Sequence, residues 1–561
     1  MALIQKAFSD IVTFSRSSNA TRIGPTGRVE YAPHNLILQS QTLDNASWVK
    51  VNASITANAI AAPDGTVTSD TLIEDSTTSN HYAQQAVVLS AQPYTISVYV
   101  KLASGSRRLV IRDGTTGAYG TFSLQDGSVV ASGSVISANI TNVGNGWYRC
   151  SISYAATAGS SSQQFLLTRN TDSTFTSYAG DGTSGIYLWG AQLSVGPYPL
   201  DYTPTTTAAV YGPRFDYDPV TLAARGLLIE EQRTNLLTYS EQFDNAAWTK
   251  TDVTVTANLV VAPDGITTAD KIVASATTAF HFVGQSPTIP ANSTVSVYMK
   301  AAEYTTGSIF LSQAGNNGAV FNLSNGTVVS VSGTGNTASI ASVGNGWYRC
   351  SVTNSGDPAD TVRFGPADGA IASFTGDGNS GIYLWGAQVE TGAFATSYIP
   401  TVAASVTRSA DVASVNTLSP WYNATEGTLF VEAVPVPQGG ANNGVASLTD
   451  GTTSNRMSLQ GPSSGNVLYR FVSSGGNFTS ANSTFPTNSG FKAALTYAAS
   501  DQAFAVNGVL GTGITSVATV PTVNQLRIGV APAVTELCGH LRRVAYYPRR
   551  LTNVDLQTLT A

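Results

Sequence analysis

Along most of this chain, apolar and polar residues alternate with a period of two, in short runs broken by turn signals. The segments TISVYVK (95–101), WYRCSISY (147–154) and GIYLWGAQ (185–192) are typical. Between such runs lie Asp64-Gly65, Asp126-Gly127, Asn145-Gly146, Asp181-Gly182, Asn325-Gly326 and Asn345-Gly346, dipeptides that supply the positive φ of tight hairpin turns. Helical periodicity never persists beyond about ten residues. The pattern predicts antiparallel strands throughout, with one short helix from Thr552, where Asp555 completes a near-capping-box pattern.

Two stretches occur twice. VGNGWYRCS at 143–151 returns unchanged at 343–351, and SGIYLWGAQ at 184–192 returns unchanged at 380–388. Asp44-Asn45-Ala46-Ser47-Trp48 matches Asp244-Asn245-Ala246-Ala247-Trp248, Ala62-Pro63-Asp64-Gly65 matches Ala262-Pro263-Asp264-Gly265, and Tyr202-Thr203-Pro204 matches Tyr398-Ile399-Pro400. The offset drifts from 200 to 196, as small changes in surface loops allow. Residues 35–204 and 235–404 are therefore read as two copies of one β-sandwich module, far longer than a solenoid repeat. Residues 1–34 form an N-terminal β segment. Residues 205–234 form a linker hairpin with a turn at Asp218-Pro219, and residues 405–561 form a third sandwich with a turn at Asn507-Gly508. The fold class expected is all-β and multi-domain: two duplicated jelly-roll-type β-sandwiches and a third, C-terminal β-sandwich.

Strand parity divides the side chains of each module. Ile96, Val98 and Val100 share a face with Cys150, Ile152, Ile186 and Leu188, and that face is core. The opposite face gathers Tyr99, Lys101, Trp147, Arg149, Tyr187 and Trp189. In the second copy it gathers Tyr298, Lys300, Trp347, Arg349, Tyr383 and Trp385. Rings that stack on sugar CH faces, with cations nearby to bond hydroxyls, suit a carbohydrate groove. The same residues equally suit a packing surface. Trp48 and Trp248 read as buried anchors, and the aligned His81 and His281 as hydrogen-bonded structural residues; His34 and His540 have no partner at a telling spacing. Asp181 and Asp377 could donate oxygens to a structural Ca²⁺, but turn chemistry explains them as well. No other cofactor is implied.

Composition narrows the classes further. Charged residues are 11% of the chain, against about 25% in typical domains, while 42% is hydrophobic, so polarity comes from hydroxyls and amides and disorder is not expected. The net charge is −6, and the basic clusters are mere pairs (Arg107–Arg108, Arg542–Arg543, Arg549–Arg550), so no nucleic-acid partner is expected. No long apolar run suggests membrane insertion, and the N-terminus does not read as a secretory signal. Cys150, Cys350 and Cys538 are too few for a disulfide framework. Glycosidase carboxylate pairs, a Ser nucleophile elbow, phosphate loops and zinc motifs are all missing from the pattern. Glu230-Glu231 and Glu74-Asp75 are the adjacent acidic pairs, so no enzyme is expected.

TFSRSSNAT (13–21), PRFDYDPVTLAARGLLIEEQRTNLL (213–237), SYIPT (397–401) with VTRSADV (406–412), and GHLRRVAYYPRRLTNVDLQTLT at the C-terminus together resemble a family of bacteriophage virion proteins: tail fibres, head fibres or spikes, and decoration proteins with carbohydrate-binding-like modules. The C-terminal part resembles concanavalin A-like (laminin G-like) lectin domains. In that family the FSR segment runs directly on to the RFDYDP segment; here the first sandwich stands between them. The resemblance implies an inserted duplicate, with residues 1–34 and 205–234 pairing around it. It further implies a virion-surface location after synthesis in the bacterial cytoplasm, residues 1–34 as a virion anchor, other capsid or tail proteins as partners, and homo-oligomers with a trimer among the options. Its function would be attachment to host or environmental glycans such as cell-surface polysaccharide, made strong by multivalency. A purely structural cementing protein is the alternative; a glycan-degrading tailspike or a secreted adhesin fits the residues less well.

Overall fold

The computed structural model describes residues 8–311, 317–354, 361–370, 372–435, 443–461, 466–473, 476–484, 490–511, 519–532, 534 and 536–561. Residues 1–7 of the N-terminal segment, and Val436, Ser474 and Thr512 at the ends of expected strands, lie outside these. The described chain is nearly all β and divides into two compact units: Tyr31–Gly212, and Met1–Glu30 with Pro213–Ala561. Among the described residues no helix is long and apolar enough to cross a membrane.

The first unit is one sandwich of two six-stranded antiparallel sheets. One sheet runs Ser137–Gly144, Trp147–Ala155, Pro93–Leu102, Gly185–Val195, Ser69–Glu74, Ala53–Ile60. The other runs Ser128–Gly133, Tyr119–Ser123, Arg108–Asp113, Gly159–Thr168, His81–Leu89, Val49–Val51. Alternation puts Ile96, Val98, Val100, Cys150, Ile152, Ile186 and Leu188 into the core at 0% exposure. Between the first two strands, Asn145 (φ +52°) and Gly146 (φ +77°) make the left-handed turn that their side chains tolerate. Trp48 is buried against Phe165, and its Nε1 donates to the Gln39 carbonyl at 3.1 Å. His81 spans two strands through the Asn52 and Tyr178 carbonyls. The unit's ends meet: His34–Asn35 pairs with Val210–Tyr211.

The second unit holds the repeat of that sandwich, with the same strand order in both six-stranded sheets, and a third sandwich of two seven-stranded sheets. The boundaries read from the sequence are corrected here. Thr13–Ser15 is the edge strand of one seven-stranded sheet, beside Val412–Val415. The supposed linker hairpin, Arg214–Tyr217 and Ala224–Ile229, extends the other sheet beside Gly539–Tyr547. Leu227, Ile229 and the flanking Phe8, Val12 and Phe14 therefore belong to the core of the third sandwich. Periodicity could show that these segments are strands but not which sheet would bury their apolar faces. Strands Thr21–Ile23 and Val29–Tyr31 form a separate hairpin. The C-terminal helix Asn553–Thr560 starts at Thr552 with a full capping box to Asp555.

Candidate functional site

The twelve residues singled out for sugar binding do come together on the outer face of one sheet in each module. In the first, Tyr99 lies opposite both Arg149 and Trp189, and Lys101 opposite both Trp147 and Tyr187. The second copy repeats this with Tyr298, Arg349, Trp385, Lys300, Trp347 and Tyr383. A bulge at Gly190 (φ +64°) lets the rings close up: a Cβ there would stand 3.0 Å from Tyr99 and 3.2 Å from Tyr202. Gly386 (φ +63°) does the same beneath Tyr298 and Tyr398.

The face is not an open platform. Trp147 and Trp189 are 2% and 5% exposed, and Trp347 and Trp385 are 2% and 1% exposed. Tyr202 lies over Trp189 with ring centroids 4.7 Å apart, and Tyr398 over Trp385 at 4.9 Å. Three of the tryptophan N–H groups are spent internally: Trp189 on Thr68 Oγ1 at 3.0 Å, Trp385 on Thr268 Oγ1 at 3.1 Å, and Trp347 on the Val261 carbonyl at 3.0 Å. Arg149 stands 5.4 Å from the Tyr99 ring centre and donates to the Leu200 carbonyl, and burial lowers its pKa. Arg349 repeats the stacking on Tyr298 at 5.5 Å. Lys101 donates to the Asn145 carbonyl at 2.8 Å. The four tryptophans are thus used in packing, while Tyr99, Lys101, Arg149 and Tyr187 of the first module keep partial exposure. Parity identified the face, but the cover comes from Ala62, Tyr202 and their counterparts, which are remote in sequence.

The calcium candidates are likewise occupied. Asp181 accepts from the Ser184 hydroxyl and the Thr183 and Ser184 amides, bonds that hold its pKa low, and also from Arg107. Asp377 accepts from the Asn379 and Ser380 amides and the Ser380 hydroxyl, which bring its pKa to about 2. Among the described residues no group of three or more His, Cys, Asp or Glu side chains could hold a metal. His540, unpaired in the sequence reading, lies 2.7 Å from Asp216.

Sequence reasoning missed a cluster made from the family-like motifs themselves. Arg16, Arg214, Glu230, Arg408 and Asp411 form one buried ion-pair junction. Arg16 Nη1 reaches Asp411 Oδ1 at 2.8 Å, and Arg214 Nη1 reaches Glu230 Oε2 at 2.6 Å. Arg214 also bonds Asp411 through Nη2, and Arg408 lies 3.5 Å from Glu230. Ser397 caps Glu230 with both its amide and its hydroxyl. Burial alone would raise the Glu230 pKa, but Arg408 and Arg214 hold it far below the carboxylate range. FSRSS and TRSAD also meet through Ser18 Oγ, which accepts from the Ser409 amide at 2.8 Å. In a chain only 11% charged, these charges inside otherwise hydroxyl-rich motifs were the available signal.

The third sandwich carries an open groove of about 1090 Å³, lined by Phe8, Phe215, Trp421, Tyr422, Tyr546 and Arg542 among others. Phe8 meets Phe215 edge-on at 5.2 Å, and Trp421 meets Tyr546 at 5.0 Å. All four of these rings retain partial exposure, unlike the tryptophans of the repeated modules.

No protein-family model and no curated protein matches the chain. Among solved structures, the CBM40 module of Ruminococcus gnavus IT-sialidase bound to alpha2,3 sialyllactose is 16% identical, covering 25% of this chain and 84% of its own, with a TM-score of 0.23. Domains LG4-5 of the mouse laminin alpha1 chain are 12% identical over 48% of this chain and 87% of theirs, TM-score 0.20. Trypanosoma rangeli sialidase is 11% identical over 97% and 98%, TM-score 0.23. Likenesses this weak assign no activity to this chain.

Proposed function

We propose that this chain is a non-enzymatic structural protein of a phage virion, exposed on a fibre, spike or capsid surface, whose third sandwich holds a glycan in its aromatic groove. The observation that supports it most is the buried junction. Three of the motifs that carry the family resemblance, FSRSS, PRFDYDP with its IEE end, and VTRSADV, converge there as structural ties. A groove lined by partly exposed rings with Arg542 and Asn423 at hand has the chemistry for stacking on sugar CH faces and bonding hydroxyls. The alternative, a cementing protein that binds no sugar, draws on the burial of all four module tryptophans.

A glycan array with the full chain separates the two. Expected are specific binding, its loss in Trp421→Ala, and its retention in Lys101→Ala and Lys300→Ala. Absence of binding by the folded chain would leave the cementing role. Loss in the lysine variants alone would return the site to the repeated modules. Immunogold labelling of particles of the phage that encodes the chain tests the virion assignment, and unlabelled particles would refute it.

A further inference from the structure

The two outer aromatic faces have the same residues but not the same surroundings. In the second module the face seats the hairpin of Thr21–Ile23 and Val29–Tyr31. Val29 is 5% exposed within the cluster of Tyr298, Trp347, Trp385 and Tyr398, and Ile23 packs beside it. The Val29 amide donates to the Pro263 carbonyl at 3.1 Å, and the Thr21 hydroxyl to the Tyr398 carbonyl at 2.5 Å. A Cβ on Gly265 would strike the Arg28 side chain at 2.7 Å, and one on Gly344 would approach the Pro219 carbonyl at 3.2 Å.

At the corresponding places of the first module there is open space among the described residues. A Cβ on Gly65 or on Gly144 would meet nothing within 4 Å. Pro63 and Asp64 are exposed where Pro263 is buried and Asp264 partly so. Tyr99 is partly exposed where Tyr298 is 2% exposed, and Val143 is 42% exposed where Val343 joins the apolar cluster. Among the described residues, the cluster on this face contains only side chains of the first module itself. The Pro63 carbonyl, Val143 and the Tyr99 edge thus repeat the receptor half of a contact whose other half is seen in the second module.

We propose that this face of the first sandwich docks a β-hairpin of a partner protein, built like Thr21–Tyr31: a tight Gly-Pro-Thr-Gly turn with an Ile and a Val on one face and an Arg beside them. The inference rests on reading the aromatic faces as packing surfaces, and it is independent of whether the third sandwich binds glycan. This chain's own hairpin is engaged on the second module, so a second hairpin must come from elsewhere. A virion protein with several such hairpin-bearing modules is the kind of partner that fits.

The test uses the full chain and a labelled, head-to-tail cyclised peptide of the sequence at 21–31, followed by fluorescence anisotropy. Saturable one-to-one binding is expected. It should weaken at least tenfold in the Val143→Asp chain, whose altered side chain is exposed, and vanish when the peptide carries Asp in place of Val29. Equal binding to the Val143→Asp chain, or no saturable binding at all, would overturn the proposal. So would concentration-dependent self-association of the chain that Val143→Asp abolishes, since the occupant would then be a second copy. A chain that binds no glycan yet binds the peptide would cost the glycan reading and keep this one.

Discussion

Glu241 and Gln41 occupy the same place in the two repeats, beside the serine that bonds the covering tyrosine. In the second copy, Tyr398 donates to Glu241 at 3.1 Å. Burial, then repulsion from Asp264 and Asp270, pushes this carboxyl up to about 8. A carboxyl raised in the fold holds its proton where the unfolded chain has lost it, so its contribution to stability falls as pH rises from about 4.3 through 8. Asp264 and Asp270, each raised to about 6 chiefly by burial, add slope at lower pH only. Glu241→Gln should therefore flatten the decline between pH 6 and 8 and raise the denaturation midpoint at pH 8. An unchanged slope would mean that Glu241 ionises freely in the fold. This contrast was present in the aligned sequences, but nothing there showed that position 241 would lie near two other carboxylates.

Single strands and hairpins show what a one-dimensional pattern conveys. Period-two alternation placed Val98 and Cys150 inward and Tyr99 and Trp189 outward, because a strand has only two faces. It gave no information on what lies over the outer face, which depends on Tyr202 and the segment at Ala62 returning from elsewhere in the chain. The same limit hid the junction: Arg16 and Asp411 are 395 residues apart, and Arg214 and Asp411 are 197 apart. The junction fastens the edge strand Thr13–Ser15 and the hairpin Arg214–Ile229 to the segment before Val412–Val415. Removing one member leaves charges buried without their counterpart. Arg214→Met should cost about 3–5 kcal/mol, read in chemical denaturation of the unit that contains it, with the Tyr31–Gly212 unit unaffected. A loss below about 1 kcal/mol would show that water reaches these charges.

At the scale of the whole molecule, one compact unit is interrupted by another. Phe8, Val12, Phe14, Leu227 and Ile229 join residues from Ala413 onward in the core of the third sandwich, while Tyr31–Gly212 has a core of its own and ends that meet as a strand pair. Insertions whose ends lie together add a domain without disturbing the host fold. The repeat revealed the inserted module, and the resemblance suggested the insertion. The junction ties together the segments of the host unit that flank the insertion, and gives Arg16, Arg214, Glu230, Arg408 and Asp411 of the family-like motifs the work of holding strands. The measurement that tests this most directly is thermal unfolding of the chain with Tyr31–Gly212 excised and Glu30 joined to Pro213 through a short Gly-Ser linker. The account predicts a soluble β protein with a cooperative transition that Arg214→Met lowers. An excised chain that fails to fold, or one whose transition ignores Arg214→Met, would contradict it.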